Sequence, residues 1–222
     1  MRMEEIKKEP ILDSKIIIIS DTHIGSIYEN REYLDYVYEY AQKHNIKTIL
    51  HGGDLLQGPY KNVKNKYRDM SNQIYHLLDI YPYDSSITNK IILGNHDFHI
   101  FDKDKSLLDL INRPDLNILG VRKSYLDWQG NLISISHKCT KYKIIIPNIP
   151  TLINFAGHAH KFAIHEKKGI LIPTLSDDVK FDSPPGFLVA TLIEDGLLVE
   201  LISFTKNMPE PQLVLKKSLN EQ

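Results

Sequence analysis

Aspartate, histidine and asparagine cluster at five places in the sequence, each directly after a short apolar run. The five blocks are Asp21-Thr22-His23, Gly52-Gly53-Asp54, Gly94-Asn95-His96-Asp97, His137, and Gly157-His158-Ala159-His160. Imidazole, carboxylate and amide groups without a thiolate suit borderline divalent ions such as Mn, Fe, Co, Ni or Zn. One ion needs fewer ligands than these blocks supply, so we expect two ions.

A pair of dications would give these blocks a recognisable chemistry. If Asp21 and Asp54 are the only carboxylates that bind the ions and the histidines are neutral, the site keeps a formal charge of about +2. Such a site attracts anionic phosphate and lowers the pKa of bound water. Metal-assisted hydrolysis of a phosphoester is therefore the reaction that these residue types favour.

The blocks differ in how strongly each one indicates a functional site. In a chain of this composition, Asp-x-His is expected about 0.8 times by chance, so alone it indicates nothing. Gly-His-x-His is expected about 0.02 times and Gly-Asn-His-Asp about 0.002 times. These two blocks therefore carry the functional signal. His137 has no flanking glycine, and His99 or His165 is a possible substitute for it.

The elements that must position these blocks are short apolar strands. Runs 15–20, 47–51 and 90–94 predict strands, and helical spacing of apolar residues over 29–44 and 74–81 predicts helices between them. This alternation predicts an α/β fold with a largely parallel sheet. A strand-rich second half predicts a second sheet packed on the first, with strands at 132–136, 154–156, 162–165, 170–173, 187–193 and 197–204. Each block then lies at a strand end, where open α/β sheets place their sites.

Composition indicates an ordinary globular chain. Its 222 residues predict one domain, with a core over about 15–205, a charged N-terminal arm and a peripheral, proline-containing tail after Lys206. Lys and Arg number 27 against 28 for Asp and Glu, so no overall basic field favours nucleic acid. The single cysteine, Cys139, cannot form an internal disulfide. We expect a cytoplasmic protein without a signal peptide or a membrane span, because the longest aliphatic run is Ile16–Ile19.

Taken in order, the five blocks resemble the calcineurin-like metallophosphoesterases. The resemblance implies a four-layer α/β/β/α sandwich of two mixed sheets. It implies one metal held by Asp21, His23, Asp54 and His160, and a second held by Asp54, Asn95, His137 and His158. Asp54 would bridge the two ions, for which manganese is favoured, and Asn95 would also contact the substrate. His96 would lie beside the leaving group, with Asp97 as its orienting partner.

Features of the family's branches favour a phosphodiesterase. Ser/Thr phosphatases carry arginines beside the second and third blocks, whereas this sequence has Leu55-Leu56-Gln57 and Ile91-Ile92-Leu93 there. The blocks are more similar to those of phosphodiesterases and repair nucleases, although we expect no capping domain in a chain of this length. A phosphomonoesterase is the alternative, and a non-catalytic scaffold is a third reading.

A basic run after Asp54 predicts the substrate contacts. Residues 61–68 contain four cations and no acid, namely Lys61, Lys64, Lys66 and Arg68. These cations could contact backbone phosphates of a short or single-stranded nucleic acid at the mouth of the site. The alternative is a solvated loop. The sequence makes no prediction about oligomeric state or about protein partners.

Overall fold

Two mixed β-sheets form the body of the protein in the computed structural model. The structure describes residues 8–60, 65–101, 106–140, 143–144, 148–166, 168–178, 183–205 and 209–219. Its strands are β1 (Lys8–Ile11), β2 (Lys15–Ile19), β3 (Thr48–His51), β4 (Thr88–Leu93), β5 (Leu116–Val121), β6 (Lys123–Trp128), β7 (Asn131–Ser136), β8 (Cys139–Thr140), β9 (Lys143–Ile144), β10 (Ile153–Ala156), β11 (Ala163–His165), β12 (Gly169–Leu171), β13 (Gly186–Ile193), β14 (Gly196–Ser203) and β15 (Pro211–Ser218). Its helices are α1 (Arg31–Lys43), α2 (Met70–Ile80), α3 (Asn95–Phe101) and α4 (Ser106–Asp109).

The seven-stranded sheet carries the predicted βαβαβ unit. Its order is β15-β14-β13-β2-β3-β4-β5, and β2 to β5 run parallel to one another. Alternate isoleucines of β2 face opposite ways: Ile17 and Ile19 pack with helices α1 and α2, while Ile16 and Ile18 pack against the other sheet. Both faces of this strand are buried, which explains its uninterrupted aliphatic run.

The helix ends follow from local sequence. Asn30 caps α1 by accepting a hydrogen bond from the Tyr33 backbone N–H (3.3 Å), and Asp69 caps α2 by accepting one from Asn72 (3.1 Å). Helix α2 ends at the residue before Tyr81 because Pro82 disfavours a helical conformation at Tyr81. The loops that follow β2 and β3 therefore extend to the caps at Asn30 and Asp69. These loops carry two of the five sequence blocks.

The six-stranded sheet has the order β1-β6-β7-β10-β12-β11. Ile133, Phe155 and Ile170 on its inner face pack against Ile18 and Leu50 of the first sheet, forming the core between the sheets. On its outer face Ile144 of β9 packs with Ala156 and Leu171. The predicted pair of packed mixed sheets is confirmed. All four described helices belong to the connections of the seven-stranded sheet.

The predicted limits of the core were too narrow. Residues 211–218, expected in a peripheral tail, form strand β15 along β14, and residues 8–11 form β1 parallel to β6. Leu215 and Ile11 are buried in the core between the sheets. Strands β5 and β6 were also missed, because their apolar residues are interrupted by polar and charged ones.

Among the described residues, the helices are too short or too polar to span a membrane.

Candidate metal centre

The five sequence blocks converge at one edge of the stacked sheets. Asp21, Asp54 and His96 follow β2, β3 and β4 of the seven-stranded sheet, while His137 and His158 follow β7 and β10 of the six-stranded sheet. A cavity of about 180 Å³ opens there, lined by His23, Asp54, Gln57, His96, His158, His160 and Asp178. The stacking of two sheets thus brings Asp21 and His160, 139 positions apart in sequence, to the same place.

One group of possible ligands contains Asp21, His23 and His160, whose ligand atoms all lie within 4.8 Å of one another. The His160 Nε2 atom is 3.3 Å from Asp21 Oδ1 and 3.0 Å from His23 Nε2. All three side chains are buried. This group contains three of the four residues predicted for the first metal.

A second group contains Asp54, His137 and His158, again within 4.8 Å. Asp54 Oδ2 lies 3.0 Å from His137 Nε2 and 3.8 Å from His23 Nε2, so this carboxylate faces both groups. His158 is the exposed member of the set, and its backbone N–H donates to the Asp21 carboxylate. The position of Asp54 is the one that a shared ligand requires.

His96 stands at the mouth of this arrangement. Its Nδ1 atom donates to the Gln57 carbonyl oxygen at 2.6 Å, and its Nε2 atom lies 4.0 Å from Asp54 Oδ2. The ring also contacts Tyr60, with ring centroids 4.4 Å apart. Asn95, the first residue of α3, is half-buried, and its carbonyl oxygen accepts a hydrogen bond from the Tyr60 hydroxyl.

The predicted role of Asp97 needs correction. Its fully buried carboxylate accepts hydrogen bonds from the backbone N–H groups of Leu55 (3.1 Å), Leu56 (2.8 Å) and Gly94 (2.8 Å). Adjacent residues of a helix point in different directions, so Asp97 faces these amides while His96 faces the cavity. Gln57, rather than Asp97, therefore orients His96, and Asp97 ties the loop after β3 to the loop after β4.

The ligand-bearing residues share an unusual backbone conformation. Asp21 (φ 56°), His23 (φ 45°), Asp54 (φ 52°), His158 (φ 76°) and His160 (φ 52°) all lie in the left-handed region. Non-glycine residues are uncommon there and persist where the surrounding structure fixes them, often at functional sites. This conformation recurs at five residues whose side chains meet in the groups of possible ligands.

Glycines permit the close approach of these loops. A Cβ atom on Gly94 would lie 2.4 Å from the Asp54 backbone nitrogen, and one on Gly157 would lie 2.6 Å from the Gly52 carbonyl oxygen. Gly94 and Gly157 are thus needed where two loops cross.

Opposite charges offset the cost of burying the carboxylates. Burial alone would raise the pKa of Asp54, but the neighbouring His137 lowers it to about 2. Burial would likewise lower the pKa of His137, yet Asp54 raises it to about 9. The pKa of Asp21 is held below its ordinary range mainly by His160, against the effect of burial. Burial lowers the pKa of His23 to about 3, which keeps this ring neutral.

The donor set fits divalent metal ions. The Nδ1 atoms of His137 and His160 bond to the carbonyl oxygens of Gly52 (2.7 Å) and Asp178 (2.8 Å), which leaves each Nε2 directed toward the carboxylates. Metal-binding histidines are oriented in this way by their second nitrogen. His137 Nε2 is buried without a hydrogen-bond partner of good geometry, although Asp54 is close. Such an atom needs a further partner, and a metal ion would supply it.

Of the basic residues predicted to contact the substrate, Lys66 and Arg68 fall outside the cavity lining. Lys66 is exposed and pairs with Glu29 (Nζ to Oε1, 2.7 Å), and Arg68 is exposed. Lys61 and Lys64 lie outside the described residues. The substitutes considered for His137 are not part of the groups described above: His165 lies in β11, and the side chain of His99 is outside the description.

Sequence reasoning missed several residues around the site. Gln57 and Asp178 line the cavity, and His51 is fully buried beside Thr22. The position of His51, three residues before Asp54 at the end of a strand, was a signal for a role in the site. Asp178 had no such signal, because only the folded chain brings it to His160.

Comparison with known proteins agrees with this geometry. The calcineurin-like phosphoesterase family matches residues 14–187, and the chain belongs to that family. Uncharacterised metallophosphoesterases from two Helicobacter pylori strains, 26695 and J99, are 31% and 28% identical over 123 and 122 residues. Each match covers 52% of this chain and 30% of the relative, so the chain spans about a third of these relatives' length.

Solved structures share the fold at low sequence identity. YfcE, a phosphoesterase from E. coli, has a TM-score of 0.57 and 14% identity, covering 93% of this chain and 100% of its own. Vacuolar Protein Sorting 29 from Cryptosporidium parvum has a TM-score of 0.55 and 15% identity, covering 92% and 98%. Vps29 from Entamoeba histolytica, solved with Zn²⁺, has a TM-score of 0.53 and 11% identity, covering 90% and 98%. The likeness establishes the fold.

Proposed function

We propose that the protein is a dinuclear metal-dependent phosphodiesterase that acts on a small or nucleic-acid-like phosphodiester. The observation that carries the proposal is the position of Asp54 between two groups of ligands, Asp21–His23–His160 and His137–His158. A carboxylate so placed suits the sharing of two ions.

The metal-binding roles follow from these two groups. Asp21, His23, Asp54 and His160 would hold one ion; Asp54, His137 and His158 would hold the other. Asn95 is added to the second set from the family resemblance alone. When bound, the two ions would polarise the phosphate and supply a nucleophile at neutral pH. Nitrogen and oxygen donors without thiolate suit Mn, Fe, Co, Ni or Zn, and we favour manganese.

His96 is proposed as the general acid. The Gln57 carbonyl accepts its Nδ1 proton at 2.6 Å and so fixes the ring with Nε2 toward the cavity. A protonated His96 would give its Nε2 proton to the departing oxygen of the ester. Proton transfer from a positioned side chain contributes typically about 10²–10⁴-fold in rate.

The lining of the cavity favours a diester over a monoester. A dianionic monoester benefits from Lys or Arg beside the phosphate, whereas the described residues that line the cavity include neither. The Asp178 carboxylate is instead at the rim, 3.4 Å from His160 Nδ1 and 41% exposed. Its negative charge opposes a second negative charge on the substrate.

The test is an assay of protein reconstituted with Mn²⁺ or Zn²⁺ on matched substrates. Bis-p-nitrophenyl phosphate, p-nitrophenyl phosphate, cyclic nucleotides and short single-stranded oligonucleotides form the panel. We expect hydrolysis of diesters with a higher kcat/KM than of the monoester, and no hydrolysis after chelation. Asp54→Asn is the matched control, because it keeps the shape of the side chain. Preference for the monoester would contradict the diester assignment, and turnover unaffected by chelation would contradict the metal mechanism.

A further inference from the structure

His51 is fully buried between two of the loops that bear the ligands, although it does not line the cavity. Its Nδ1 atom lies 3.1 Å from the backbone nitrogen of Gly53, and its Nε2 atom lies 3.1 Å from the Thr22 hydroxyl. That hydroxyl lies 3.0 Å from the Leu55 carbonyl oxygen. The two side chains therefore join the loop after β2 to the loop after β3.

The partners fix the direction of each hydrogen bond. The Gly53 N–H can only donate, so His51 Nδ1 accepts, and the ring proton is on Nε2. The Leu55 carbonyl can only accept, so the Thr22 hydroxyl donates to it and accepts from His51 Nε2. Burial lowers the pKa of His51 to about 4, which keeps the ring neutral at pH 7, as this arrangement requires.

The connected loops hold ligands in strained conformations. Thr22 stands between Asp21 (φ 56°) and His23 (φ 45°), and the His51 bond reaches Gly53, directly before Asp54 (φ 52°). Backbone hydrogen bonds also join these loops, from the Asp21 N–H to Gly53 and from the His23 N–H to Asp54. Residues in this region of φ stay there only where neighbouring contacts fix them. The His51–Thr22 bond adds a side-chain contact at that place.

We propose that His51 and Thr22 are positioning residues that form a hydrogen-bonded clamp, which sets the spacing between the Asp21–His23 loop and Asp54 for metal binding. The proposal rests on the proposed function, since it concerns ligands of the proposed metal centre. Neither residue touches the cavity, so neither is a catalytic residue. The competing account is a buried bond that stabilises the fold and leaves the metal affinity unchanged.

Thr22 offers a matched pair of variants. Thr22→Val keeps the shape of the side chain but removes the hydroxyl, whereas Thr22→Ser keeps the hydroxyl. Mn²⁺ titration of the metal-depleted protein by calorimetry should show about tenfold weaker binding for the valine variant, the lower end of effects seen for groups that orient metal ligands. The serine variant should bind like the wild type. A valine variant that loses thermal stability but keeps its Mn²⁺ affinity would overturn the clamp and support the fold-only account.

His51→Asn supplies the second half of the test. The asparagine oxygen can still accept from Gly53, but the side chain is too short to reach Thr22. Combined with Thr22→Val it should weaken Mn²⁺ binding no further than Thr22→Val alone, because that variant already removes the bond between the two side chains, together with the hydroxyl's bond to Leu55. Additive losses would contradict the clamp.

Nitrogen-15 spectra of the metal-free wild type separate this proposal from the metal function. The His51 ring should show a protonated Nε2 and an unprotonated Nδ1 at pH 7. The opposite tautomer would overturn the clamp whatever the metal content. If instead the wild type binds no Mn²⁺ or Zn²⁺ while the tautomer is as expected, the proposed metal function fails, and with it the role of the clamp in metal binding.

Discussion

The two sheets contribute different chemistry to the candidate site. Loops of the seven-stranded sheet supply both carboxylates, Asp21 and Asp54, together with His23 and the proposed acid His96. Loops of the six-stranded sheet supply imidazoles, those of His137, His158 and His160. Both carboxylates of the proposed ligand set therefore lie on one side of the site, and the other side contributes only imidazoles to that set.

Because of this division, the site residues on each sheet depend on contacts with the site residues on the other sheet. The Nδ1 atom of His137 is oriented by the Gly52 carbonyl of the seven-stranded side, and the His158 backbone N–H donates to the Asp21 carboxylate. Buried carboxylates are costly unless they are paired. The six-stranded side provides these partners, so the site forms only when the sheets are stacked.

Substitution of Asp54 should have the largest effect on metal content and activity, because its carboxylate faces possible ligands from both sheets. Asp54→Ala should reduce the bound metal well below two ions per chain and lower kcat/KM by at least about 10³-fold. Loss of several kcal/mol of charge stabilisation corresponds to that factor. Elemental analysis and kinetics of the purified variant provide the measurement. Two full equivalents of metal in the variant would show that Asp54 is not shared.

Substitution of His96 should affect the rate but not the metal content. His96 follows a strand of the seven-stranded sheet, like both carboxylates, yet it is predicted to act on the leaving group. His96→Ala should keep the metal content of the wild type and lower kcat by about 10²-fold or more on an alkyl diester. A p-nitrophenyl diester, whose leaving oxygen needs little protonation, should lose much less. Equal losses on both substrates, or loss of metal, would contradict the role of an acid.

The sequence predicted the site residues on the seven-stranded sheet more clearly than those on the six-stranded sheet. Strands β2, β3 and β4 were recognisable from aliphatic runs between helical patterns, and the blocks that follow them bring Asp21, His23, Asp54 and His96 to the site. The motif Gly157–His160 was equally clear, but His137 followed a strand without a glycine signal. Asp178 and Gln57 could not be predicted, since their contacts with His160 and His96 depend on how loops cross in space.

The role of Asp97 shows the limit of motif reasoning. The family resemblance implied that Asp97 orients His96, whereas the first turn of α3 directs Asp97 to three backbone amides. Burial, and the nearby Asp54 carboxylate, raise the pKa of Asp97 to about 6. Strand β15 was missed for a different reason: Pro211 and a charged flank are typical of a tail, while pairing with β14 outweighs that local preference.

The pH dependence of stability offers a smaller test on the carboxylate side. Burial holds the pKa of His51 at about 4 in the folded protein, against 6.5 ordinarily. In the unfolded chain His51 thus binds a proton below pH 6.5, whereas in the folded chain it binds one only below about pH 4. The free energy of unfolding should therefore fall as the pH drops through this window, by up to about 3 kcal/mol.

His51→Asn isolates this contribution in metal-free protein, where chemical denaturation measures the free energy of unfolding. Its stability should depend less on pH between 6.5 and 4 than that of the wild type, and the two slopes should agree above pH 7. Parallel curves across the whole range would show that His51 is protonated equally in both states.

The smallest effect is expected from the basic run after Asp54, of which the described cations Lys66 and Arg68 are exposed. Lys66 is already paired with the mostly buried Glu29, which also contacts His76 Nε2 at 2.7 Å. Lys66→Ser should therefore leave the KM for a short single-stranded oligonucleotide nearly unchanged. Arg68→Ser should lower the salt slope of binding by about 0.7 if the guanidinium contacts one phosphate.

Replacing Lys61, Lys64, Lys66 and Arg68 together with serine should flatten the slope further, while turnover of a small aryl diester stays constant because the proposed ligands and His96 are untouched. If this quadruple variant cleaves oligonucleotides like the wild type at every salt concentration, the run is a solvated surface and a small-molecule diester becomes the leading substrate class.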